Sequence, residues 1–132
     1  MPIPTELFTT IMAPIAVASP EPAASAIRVW YTLFRKFSPL LGPLSTELLF
    51  ARSLATHASD YQWLPRVAPA AARTAFEEFV RSLDGRRPDE IIAANQVLLA
   101  SYTRGLVDLI GAGLTIRLLE AVFSNNNTNT NT

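Results

Sequence analysis

Few of the 132 residues in this chain are of types that do chemistry near neutral pH. His57 is the single histidine, and there is no cysteine. A lone histidine can be tested as a haem ligand, a phosphoacceptor or a general base. Haem would need a large apolar pocket around it. Phosphotransfer would need an exposed histidine in its own sequence setting, which His57-Ala58-Ser59-Asp60 does not supply. Base catalysis would need a nucleophile, and none is identifiable. His57 therefore reads as an edge histidine near a helix C-terminus, where its charge is favoured. An enzyme would require a cleft holding His57 with Asp60, or one engaging Arg117 and Glu120.

Paired carboxylates occur at Glu77-Glu78. A di-metal bundle site draws ligands from several helices and needs Glu-x-x-His motifs, and the chain has none. Arg104 and Asp108, four residues apart, are expected to form an ordinary surface ion pair. Arg117 and Glu120 instead project toward an apolar stripe, as Asn95 does. Either a bend in the chain turns the pair outward or it meets a polar partner. Gly85-Arg86-Arg87 reads as a solvated basic turn. The expectation is a protein with no catalytic site, no metal and no cofactor.

Composition narrows the classes further. Eleven basic residues balance eleven acidic ones without blocks of either sign, so nothing marks a surface for nucleic acid or for an anionic bilayer. The absence of cysteine excludes a disulfide scaffold and any thiolate chemistry. Hydrophobic residues make up 49% of the chain, and a chain this long buries about two-thirds of its unfolded surface as one domain. Met1 to Ala18 ends in an Ala-x-Ala-like site but has no basic start, carries Glu6 and is cut by Pro14, so it does not read as a signal peptide. Val97 to Ile116 has the length of a membrane span, but Arg104 and Asp108 would each be costly near its centre. A cytoplasmic protein with no membrane span is expected.

The longest element that could position any site is Pro88 to Phe123, the longest stretch free of internal proline. At 100° per residue it places Ile91, Leu98, Tyr102, Leu106, Leu109, Gly113 and Ile116 on one stripe. Pro88 suits the first helical position, and Asp89 and Glu90 suit the positive end of the helix dipole. One straight helix of that length would reach about 54 Å, longer than a compact domain of this size. A bend or break is expected at Gly111-Ala112-Gly113, where two glycines weaken the helix by roughly 2 kcal/mol. Beyond it the chain is apolar almost all round, and Leu114, Leu118, Leu119, Val122 and Phe123 form the candidate partner-binding face.

Residues 1–22 contain five prolines and read as an arm, with a short helix capped by Thr5 and an extended linker after Ala13. The arm either folds back on its own domain or reaches a neighbour. A helix over 23–37 buries Trp30, Phe34 and Phe37, and Ser38-Pro39 turns the chain. A third helix, 46–58, starts at Ser45 as N-cap. Tyr61, Trp63 and Leu64 are a plug for the bundle end or a binding anchor. Pro69 opens a fourth helix that ends at Gly85, its outer face laced by Arg73, Glu77 and Arg81. From Ser124 onward the Asn/Thr tail has nothing to bury and is expected to be disordered.

The strings LLGPLSTELLFARSL, YQWL and LIGAGLTIRLLEAVF resemble those of small, function-unassigned helical proteins of bacteria. The likeness covers about residues 38–65 and 97–123, and it implies no activity and no catalytic residues. The expected fold is all-α: a single up-down helical bundle of four to five helices over 23–123, bent or broken near Gly111-Gly113, with the arm at 1–22 and the tail at 124–132. The expected function is a non-enzymatic interaction or regulatory subunit that docks a partner helix or self-associates as a homodimer or higher homo-oligomer. The alternative is a small-molecule sensor with an aromatic pocket among Trp30, Phe34, Trp63, Phe76, Phe79 and Tyr102.

Overall fold

A computed structural model describes residues 3–16, 21–67 and 69–129; of residues 69, 70 and 124–129 it describes the backbone alone. The protein is all-helical. Six α-helices are present among the described residues: α1 (Thr5–Ala16), α2 (Pro22–Leu41), α3 (Pro43–His57), α4 (Ala75–Ser82), α5 (Pro88–Ile110) and α6 (Ala112–Asn129), with a 3-10 segment (Pro69–Thr74) leading into α4. The last three residues of the expected disordered tail, and all its side chains, lie outside the described residues.

Local signals place the start of α5 well. Pro88 opens it, Asp89 and Glu90 occupy the first turn, and the Glu90 carboxylate accepts the backbone N–H of Arg87 at 3.2 Å. Pro22 opens α2 in the same way, its missing N–H lost where no helical partner exists.

Prolines expected to stop helices do not. Helix α2 continues past Ser38-Pro39 to Leu41, and α1 runs through Pro14 to Ala16. Both prolines are exposed and sit in a last turn, so each removes a single hydrogen bond at the helix end. Burial of Ile15 after Pro14, and packing of Leu41 on the core after Pro39, offset that loss. Helix α3 starts at Pro43, with Gly42 rather than Ser45 at the cap position. The fourth helix is shorter than its periodicity suggests. Ala71 adopts non-helical angles (φ −105°, ψ 23°), and the segment before Ala75 lies along α3 as 3-10 turns, burying Ala72 and Ala75.

The N-terminal helix packs in cis. Its buried face of Leu7, Ile11, Met12 and Ile15 joins the core, against α2, α5 and α6. Helices α3 and α5 are antiparallel: Leu49 lies against the backbone of Gly105, while Thr56 and His57 face the stretch from Val97 to Arg104.

Two corners of the chain are nearly superposable in conformation. Gly42, between α2 and α3, has φ 89° and ψ 146°, and Gly111, between α5 and α6, has φ 87° and ψ 155°. Each donates its N–H to the carbonyl four residues back, Ser38 at 2.7 Å and Val107 at 2.8 Å. Four residues on, a buried threonine closes each new helix, Thr46 bonding the Pro43 carbonyl and Thr115 that of Gly111. The buried positions before the corners also correspond, counted from each glycine: Ser25 with Ala94, Ala26 with Asn95, Val29 with Leu98, Trp30 with Leu99, Leu33 with Tyr102 and Phe37 with Leu106. The chain thus uses one helix-glycine-helix unit twice, and α1 packs on α6 as α4 packs on α3.

Candidate functional site

Helices α2 and α5 cross at Trp30. Its indole Nε1 donates to Asn95 Oδ1 at 2.8 Å, and Asn95 Nδ2 donates to the Ile91 carbonyl at 2.8 Å. Both side chains are fully buried. The polar residue on the apolar stripe therefore meets its partner inside the core, which satisfies the otherwise costly indole N–H.

Around this bond the aromatic side chains collect. Trp30 meets Phe50 and Tyr102 edge to face, with centroids 4.9 Å and 5.2 Å away, and Phe34, Phe76 and Phe79 continue the cluster. Five of the six residues expected to line a ligand pocket, Trp30, Phe34, Phe76, Phe79 and Tyr102, are thus brought together, and Phe50 joins them. Trp63 is not among them: it packs at the core's edge beneath the Arg86 guanidinium, 5.5 Å from the ring centroid. A cavity of about 140 Å³ remains beside Phe34, Phe50 and Phe76, below the usual size of small-molecule sites, about 300–1,000 Å³.

One polar atom in this cluster has no partner among the described residues, the Tyr102 hydroxyl. Burial pushes its ionisation well above the ordinary phenol range. Because the unfolded chain ionises near pH 10 and the folded one does not, this group lowers stability as pH rises beyond about 10. Tyr102→Phe is expected to raise stability by about 1 kcal/mol at neutral pH and to flatten that alkaline decline. Urea titrations at pH 7 and pH 10.5 read both effects, and a loss of stability at both would refute the assignment.

The candidate partner-binding face divides. Leu119 is fully buried in the protein's own core, and Leu118 and Phe123 pack against that core. Val122 is half-buried, and Leu114 is exposed. Arg117 and Glu120 are both exposed. The exposed leucines lie at the corners instead: Leu40 and Leu44 flank Gly42, and Leu109 and Leu114 flank Gly111, with exposures of 51%, 57%, 57% and 39%. Since α3 and α5 are antiparallel, both corners lie at one end of the molecule. Leu109 belongs to the apolar stripe by periodicity, yet it is exposed, while its neighbours Leu106, Val107 and Ile110 turn to the core.

Surface charges also rearrange. Arg81 pairs with Glu78 at 3.2 Å, not with Glu77, and among the described residues Arg104 and Asp108 form no ion pair. His57 is half-buried at the end of α3, with Nδ1 4.0 Å from Asp60 Oδ2. Among the described residues no group of three or more histidine and carboxylate side chains could hold a metal ion. No helix among them is long and apolar enough to cross a membrane. No family model matches the chain, and neither a curated protein nor a solved structure does.

Proposed function

We propose that the protein is a non-enzymatic interaction module that self-associates through the leucine-bearing end of an up-down helical bundle. In this reading α2 to α6 form the bundle, α1 is an arm folded onto it, and the bend after Ile110 turns α6 back along the core. The observation that supports it is the clustering of Leu40, Leu44, Leu109 and Leu114 around two like corners, each leucine substantially exposed. Burying each remaining apolar surface in a contact is worth about 1 kcal/mol, and exposed apolar surface of this kind marks association sites. A second copy is the favoured partner, a homodimer or a higher homo-oligomer with the same leucines on both sides of the contact. Leu114 is kept from the expected α6 face, while Leu118 and Leu119 serve the fold.

The aromatic-pocket sensor is less well supported, since its rings already pack one another. Light scattering coupled to size exclusion tests the association. The wild-type chain is expected to run as a dimer or larger, and Leu44→Asp with Leu109→Asp to run as a monomer with an unchanged melting temperature. A wild-type monomer at high concentration would overturn the proposal.

A further inference from the structure

A cleft of about 460 Å³ opens between the start of α1, the end of α3 and the middle of α5, within the size range of small-molecule sites. Its wall is apolar at Ile3, Phe8 and Val97, and its rim carries His57, Ser101 and Arg104. A second groove of about 260 Å³ shares Thr56, Ser101 and Arg104 with the first and continues to Arg52 and Asp108. Neither Arg52 nor Arg104 is in an ion pair among the described residues. The cleft's own charged side chain is the Arg104 guanidinium, and the adjoining groove adds the Arg52 guanidinium and the Asp108 carboxylate, so cleft and groove together carry one net positive charge without His57.

We propose that this cleft binds a singly charged amphiphile, a carboxylate with an unbranched alkyl tail. The tail lies along Ile3, Phe8 and Val97, and the head meets Arg104, whose planar donors match a carboxylate bidentately. Asp108, in the adjoining groove, sets the charge of the ligand: one negative charge gains from Arg104 and from Arg52 beyond it, whereas a second would be repelled by the aspartate. The cleft itself is lined by none of the aromatic cluster and none of the four exposed leucines; only the adjoining groove reaches Leu109.

Decanoate is the probe, used below its own aggregation concentration. Isothermal titration of the full chain is expected to show saturable 1:1 binding, and the ring resonances of His57, the single histidine, to shift with it. Arg104→Gln is expected to weaken binding at least tenfold. Ala100→Trp, at an exposed position on the cleft, is expected to abolish it. Decyltrimethylammonium, with the same tail and the opposite charge, is expected to bind at least tenfold more weakly. The proposal is overturned by any one of these: no saturable binding of decanoate, equal binding of the cationic amphiphile, or binding unchanged in folded Arg104→Gln. Undisturbed binding in folded Ala100→Trp would overturn it equally.

Discussion

Replacing Trp30 with alanine is expected to cost about 5 kcal/mol, enough to unfold much of the population of an ordinary single domain. Three losses add. The substitution empties the volume of a fully buried indole at the crossing of α2 and α5. It removes the edge-to-face contacts with Phe50 and Tyr102. It also leaves Asn95 Oδ1 buried without its donor, a penalty of about 1–3 kcal/mol by itself. Trp30→Phe separates the terms, because it keeps most of the ring and deletes the N–H. Its expected cost is about 2 kcal/mol, and much of that should vanish when Asn95→Leu is already present, since both ends of the hydrogen bond are then gone. Urea midpoints at constant slope give these values. If Trp30→Ala cost less than 1 kcal/mol, the α2–α5 crossing would not be the centre of the core.

The glycines give the second large effect, and here the sign differs between two neighbours. Gly111→Ala is expected to destabilise by about 2 kcal/mol, because φ 87° with ψ 155° is a conformation that residues with a side chain strongly avoid. Gly113→Ala, in the first turn of α6 with open space around an added Cβ, is expected to stabilise by up to about 1 kcal/mol through helix propensity. Gly42→Ala should cost about as much as Gly111→Ala, since its backbone angles are nearly the same. Thermal unfolding of the three single variants decides this. Equal effects at Gly111 and Gly113 would mean that the turn is shared between them rather than carried by Gly111.

Part of this architecture could be read from the chain. The Gly-x-x-x-Thr corner occurs twice, as Leu40-Leu41-Gly42-Pro43-Leu44-Ser45-Thr46 and as Leu109-Ile110-Gly111-Ala112-Gly113-Leu114-Thr115. Aligning the two on their glycines would have exposed the repeated unit. Asn95 on an apolar stripe signalled a buried polar contact, although its partner could not be inferred: Trp30 lies 65 residues away. The cleft gave no sequence signal. Ile3, His57 and Arg104 come from three distant segments, and no spacing rule links them.

What the sequence determined by itself is local. The 3.6-residue periodicity set which elements are helices and which face of α2 and α5 turns inward, and Pro22, Pro88, Asp89 and Glu90 set where those helices start. What only the tertiary structure decided is how far each helix runs and how much of its apolar face is covered. Helices continue through Pro14 and Pro39 because packing of Ile15 and of Leu41 offsets one missing hydrogen bond. Leu119 is buried while Leu109, on an equally apolar stretch, is exposed. Periodicity measures the chain against its own axis, and burial depends on the surface that another part of the chain brings to meet it.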